Sequence, residues 1–209
     1  MRLLLNSYCV ISLSFNIVET NLKCDQSNTW EWATFSHGPF LASVALLFSR
    51  YFTSMLISGT DRGVGVEIGS GGDIDYLWSS SHMRFFSYGH VSRFRKIEYL
   101  VNHEKAELIF KNIHVCSDVR QRGENINCGM CWKCCFTMLI IDACGFKEKA
   151  TAFDFTGFVE NHEGNIANIV GNQDYTFIYD MPLIIEAYEK RGEKKMINLD
   201  KKCVNTDEC

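Results

Sequence analysis

The stretch Asn127-Cys128-Gly129-Met130-Cys131-Trp132-Lys133-Cys134 sets three cysteines at successive two-residue gaps. The glycine in the first gap lets the backbone turn tightly enough for the flanking thiolates to face inward. Cys116 stands upstream and completes the spacing C-x11-C-x2-C-x2-C. Thiolates delivered from two segments close a tetrahedron of the kind a structural zinc ion needs. An iron–sulfur cluster takes the same ligand type. The cysteines could also form disulfides, or be reduced core residues, since a free thiol buries as a small hydrophobe. Back-to-back C-x2-C steps with a glycine in the turn favour the zinc knuckle over these. The knuckle launches a helix from about Cys131 to Ala143, which Gly145 ends.

Outward from the knuckle, apolar runs alternate with helical patterns. Val10 to Val18 reads as a strand rich in Val, Ile and Phe. Trp30 to Phe35 reads as a short helix, and His37-Gly38-Pro39 as punctuation. Phe40 to Phe52 has helical character, with Leu41, Val44, Ala45, Phe48 and Phe52 on one face. Ser54 to Ser58 reads as a short buried strand. Six glycines between Gly59 and Gly72 make that stretch largely loop, with room for a Val64 to Ile68 strand. Met83 to Tyr88 is a further strand. Ser92 caps a helix running through Val101, and Glu104 to Lys111 forms another. Ile113 to Ser117 reads as the strand that delivers Cys116. Thr156 to Val170 and Tyr175 to Arg191 read as C-terminal helices, with a charged tail after Gly192. This alternation predicts a three-layer, Rossmann-like α/β domain around a mostly parallel sheet. Ligands of such sheets bind at the carboxyl ends of the strands. The loops after Asn21, Ser58 and Tyr88 are therefore the places to look.

Composition narrows the function classes. The 209 residues suffice for one sizeable domain with a small appendage, and 46% hydrophobic with 22% charged residues is ordinary for a globular protein. A net charge of −4 argues against nucleic acid as the main partner. The paired Lys190-Arg191, Lys194-Lys195 and Lys201-Lys202 are interleaved with Glu186, Glu189, Glu193 and Asp200, as on a solvated helix end. No run reaches the roughly 20 apolar residues of a spanning helix. Met1-Arg2-Leu3-Leu4-Leu5 opens like a signal peptide, but Asn6, Ser7, Ser12, Ser14 and Asn16 break the apolar stretch and no cleavage site follows. Ten cysteines is a high count, and the six outside the cluster form no regular framework. Cys9, Cys135 and Cys144 lie in apolar runs and read as buried thiols. That usage fits a reducing, cytoplasmic compartment.

Ser70-Gly71-Gly72-Asp73-Ile74-Asp75 approaches the Ser-Gly-Gly-x-Asp-Ser loop with which ATP pyrophosphatases cradle pyrophosphate. Asp75, however, brings a charge that repels phosphate, and the segment lies mid-chain instead of directly after a first strand. A longer pattern is more specific. It runs Gly69-Ser70, Asp75, Leu77-Trp78-Ser79-Ser80, Gly89, Ser92-Arg93, Lys96, Val115-Cys116, the knuckle, Thr137-Met138-Leu139 and Gly145. In this order the chain resembles proteins related to 7-cyano-7-deazaguanine synthase, within the adenine-nucleotide alpha-hydrolase-like (ATP pyrophosphatase) superfamily. The resemblance covers roughly residues 50–146 and is most specific in its cysteines.

The resemblance implies a HUP-type α/β domain over residues 1–146, with the zinc knuckle at 116–134, and a C-terminal helical extension over 147–209. It implies an ATP-binding ligase chemistry, the adenylation of a small-molecule acceptor. Lys96, in Lys96-Ile97-Glu98, matches the lysine of the family's Lys-x-Glu helix and would approach phosphate beside Arg93 and Ser70. Asp75 and Trp78 would face the acceptor. Each has a plainer reading: Lys96 as a solvated helix residue, Arg93 in a surface ion pair, Asp75 capping a turn, Trp78 in the core. The family places its phosphate loop upstream of a segment like Val10 to Asn21, and no such loop precedes Val10 here. Phe136 stands where relatives carry a basic residue. The expectation is a domain that does not turn over ATP by itself, with a small-molecule substrate or a partner chain that supplies the loop as its partner. The alternative is a non-catalytic, zinc-stabilised binding module.

Overall fold

The computed structural model describes residues 35–59, 69–116, 126–156 and 175–193, together with Val18 and Phe158. The Val10 to Val18 strand, the Trp30 to Phe35 and Thr156 to Val170 helices, the Val64 to Ile68 strand and the tail beyond 193 fall wholly or almost wholly outside those residues. So do Cys9, Cys24, Cys203 and Cys209.

The described chain mixes helix and sheet. Its elements run α1 (His37–Leu46), β1 (Ser54–Ser58), a 3-10 turn (Asp75–Trp78), β2 (Arg84–Tyr88), α2 (Arg93–Val101), α3 (Ala106–Asn112), α4 (Trp132–Ala143), a second 3-10 turn (Lys147–Lys149) and α5 (Tyr175–Arg191). Among the described residues the sheet consists of β1 and β2, paired in parallel with Ser54 opposite Arg84 and Ser58 opposite Tyr88.

Alternation along the strands divides the sheet into unlike faces. Ile57 and Phe85 point inward and pack, with Met55, against Ala42 and Ala45 of α1, Met83 and Trp78. Leu56 and Tyr88 point the other way and are 63% and 73% exposed. The strand expected at Ser54 to Ser58 thus forms within its bounds but is buried on one face only. The hydroxyls of Ser79 and Ser80 accept the amides of Phe85 and Met83, at 3.0 and 3.2 Å, and so satisfy the entry to β2.

The larger core is helical, and α4 is its centre. Phe136, Met138, Leu139, Ile140 and Ile141 are all fully buried. An all-round apolar helix is stable only when wrapped, and α2, α5 and the second 3-10 turn wrap this one. Each such side chain contributes about 1.5–3 kcal/mol of burial. Gly145, at φ 71°, stops the helix as expected. Its amide returns to the Asp142 carbonyl at 2.8 Å and that of Phe146 to Ile141 at 3.0 Å, the paired bonds of a Schellman end. Arg191 of α5 reaches the carbonyls of Asp142 and Ala143, and the Tyr188 hydroxyl donates to the Asp142 carboxylate at 2.9 Å. A cation and a donor thereby meet the negative end of α4.

Two expectations need correction. The helix expected from Phe40 starts at His37 and stops at Leu46, because Pro39 falls in its first turn, where a missing N–H costs nothing. Leu41 and Phe52, expected on the apolar face, are largely exposed, and Ala42 and Ala45 are buried instead. The strand expected at Ile113 to Ser117 is also not found: residues 113–116 lie in no strand. Their polar groups are met by a side chain, as described below.

Candidate metal centre

The knuckle forms as its spacing requires. Gly129 adopts φ 70°, and the amides of Met130 and Cys131 point at the Cys128 sulfur, at 3.4 and 3.2 Å. Cys131 is the N-cap of α4, and Cys134 follows in the first turn, fully buried. Cys116 arrives from residues 113–116 on the other side. The Sγ atoms of Cys116, Cys128, Cys131 and Cys134 all lie within 4.8 Å of one another. Cys128 and Cys134 are 3.8 Å apart, and Cys131 and Cys116 4.0 Å. Zinc–sulfur bonds of about 2.3 Å give tetrahedral edges of about 3.8 Å. The four cysteines could therefore hold a metal such as zinc with little movement.

The electrostatics suit a cation. Burial drives the Cys134 thiol far above the ordinary range, and Cys131 and Cys128 beside it add to the effect. A metal bound there would displace the Cys134 proton. Cys135 is also buried, and burial pushes its thiol up to about 11. It donates to the carbonyls of Met130 and Gly129, at 3.4 and 3.6 Å. It acts as a thiol bracing the knuckle from behind, which accords with its reading as a buried thiol.

The other expected site residues fall into separate places. Asp75 is 0% exposed, and its carboxylate accepts the Ser70 hydroxyl at 2.9 Å and the Gly71 amide at 3.1 Å. Ser70 and Asp75 thus close their own loop. Trp78 packs in the sheet-side core, its Nε1 buried without a hydrogen-bond partner. Arg93 lies over the rings of Trp132 and Phe136, at 5.3 and 5.1 Å. Asp180 of α5, wholly buried, faces the start of α2. Burial raises its pKa, and Ser92, the Phe94 amide and Arg93 pull it back only in part.

Lys96 is the expected residue that does reach a strand end. Its Nζ donates to the Gly59 carbonyl, directly after β1, at 2.6 Å. Its stem passes Gly89, which follows β2. His90 sits against Gly59, where an added Cβ would come within 2.6 Å of the ring. His90, Asp180 and Asn127 drew no functional reading from the sequence. A polar residue inside an apolar run was the available signal for Asp180, and adjacence to the knuckle for Asn127.

No helix among the described residues is long and apolar enough to cross a membrane. Comparisons with protein-family models, with curated proteins and with solved structures found no match for this chain.

Proposed function

We propose that this chain is a zinc-stabilised α/β module whose four-thiolate centre is structural. The observation that carries the reading is the convergence of Cys116, Cys128, Cys131 and Cys134 to within 4.8 Å. A site closed by protein thiolates leaves no position for substrate or water, which distinguishes structural zinc from catalytic zinc. On this reading the module binds a partner or ligand without chemistry of its own.

A second reading is favoured by Lys96. Its ammonium stands at the carboxyl end of a parallel pair, where ligands of α/β sheets bind. Here the chain is a three-layer, HUP-type relative of deazaguanine synthase. It binds ATP through Lys96, and its ancestral chemistry is the adenylation of a small-molecule acceptor. The closed Ser70–Asp75 pair speaks against those two residues as ligand contacts in this state.

Metal analysis and calorimetric titration with ATP separate the readings. The first expects one zinc per chain and no saturable ATP binding. The second expects saturable binding that Lys96→Ala abolishes. A purified chain without metal would defeat the first reading, and ATP binding indifferent to Lys96→Ala would defeat the role given to Lys96.

A further inference from the structure

Cys116 has no ladder to hold it. Residues 113–116 belong to neither helix nor strand, yet Cys116 must be kept in register with a knuckle that begins at Cys128. One side chain spans the gap. Asn127 is 3% exposed and sits immediately before Cys128. Its Oδ1 accepts the amides of Val115 at 2.9 Å and of Cys116 at 3.2 Å. Its Nδ2 donates to the carbonyls of Ile113 at 2.9 Å and of Ala152 at 3.0 Å. Both lone pairs and both protons of the amide are thereby used. The side chain does for 113–116 what a neighbouring strand would do, and it also ties that segment to the turn at Ala152.

We infer that Asn127 is the positioning residue of the metal centre, holding Cys116 against the knuckle so that the centre has four thiolates and not three. The inference rests on the metal-binding reading above. Cys128, Cys131 and Cys134 are set by the knuckle and the first turn of α4, so they stay together without Asn127. Cys116 comes from outside that unit, and its amide is held by Asn127. An alanine in place of Asn127 loses all of these bonds.

The test uses the full chain loaded with cobalt(II), whose thiolate-to-metal absorption scales with the number of sulfur ligands. Wild type is measured first: failure to bind cobalt defeats the metal reading and this inference together. With binding established, Asn127→Ala is expected to lose about a quarter of that absorption, as one of four thiolates leaves a tetrahedral site. Its cobalt affinity is expected to fall about 10- to 100-fold, the usual consequence of removing an outer-shell partner. Cys116 should become open to alkylation while Cys128, Cys131 and Cys134 stay protected. Tyr188→Phe, at the opposite end of α4 from the sulfurs, should lower stability and leave the spectrum intact. Should Asn127→Ala be insoluble, Asn127→Ser takes its place with the same expectation. An alanine or serine variant with the full spectrum, wild-type affinity and a protected Cys116 would overturn the inference while leaving the metal reading untouched.

Discussion

Replacing Cys131 tests whether the metal centre holds the fold together. Its sulfur pairs across the site with Cys116, 15 residues earlier in the chain. A cross-link closing a loop of that length is worth about 3 kcal/mol through the unfolded state alone. Cys131 is also the N-cap of α4, where its own side chain makes no capping bond. Serine is a preferred N-cap, worth about 1 kcal/mol over alanine. Cys131→Ala should therefore cost about 3 kcal/mol and Cys131→Ser about 2 kcal/mol. In a chain of this size each kcal/mol moves Tm by about 2–4 °C, so the alanine variant should melt about 6–12 °C lower. Metal content and thermal melts, with and without a strong chelator, provide the assay. Under chelator the order should change. Wild type should fall to the level of Cys131→Ala, and Cys131→Ser should become the most stable of the three because it alone keeps a cap. A wild-type melt unmoved by chelator, or a Cys131→Ser protein with full metal and unchanged Tm, would refute the reasoning.

Two further outcomes follow from the far end of α4. Tyr188→Phe removes the hydroxyl that donates to the buried Asp142 carboxylate at 2.9 Å, and a hydrogen bond to a charged group is worth about 1.5–3 kcal/mol. Urea denaturation should show that loss, with metal content unchanged. The Cys144 thiol is pushed from its ordinary 9.0 up to about 11, by burial first and by the Glu98 carboxylate second. Between those values the unfolded chain releases this proton while the folded chain keeps it. The contribution is thus intact below the unfolded value and is lost as pH rises through the window. Peptide-resolved alkylation of the native protein at pH 8 should leave Cys144 slow, and speed it as pH approaches 11.

What the sequence made legible was local. The knuckle, the Ser92 cap, the Gly145 stop and the Gly192 end of α5 rest on interactions within a few residues, so their residue types announce them. The Ser92 hydroxyl accepts the Arg95 amide at 3.3 Å, as a serine before an amphipathic helix predicts. What stayed illegible depends on partners distant in the chain. Ile113 to Cys116 has a strand's composition, and only the fold reveals that its partner is the amide of Asn127. Ser70 and Asp75 have the residue types of a ligand loop, and nothing local says that they spend their bonds on each other. Arg93 reads as a phosphate contact or a surface ion pair near a helix start. Only packing brings it onto Trp132 and Phe136.

The position of Arg93 also bears on how the halves of the fold communicate. Helix α2 sends Phe94 and Ile97 into the core that surrounds α4. It sends Lys96 the other way, to the carbonyl that follows β1. Arg93 lies between, against the ring of the residue that follows Cys131. A change in metal occupancy that shifted the first turn of α4 would reach the strand ends through α2, by the Arg93 contact on one side and the Lys96 hydrogen bond on the other. A densely packed contact of this kind transmits displacement instead of absorbing it. The size of any effect on a ligand at Lys96 is nevertheless bounded by that ligand's differential affinity for the two metal states. A structural zinc would therefore act on any ligand at Lys96 only by fixing where α2 stands.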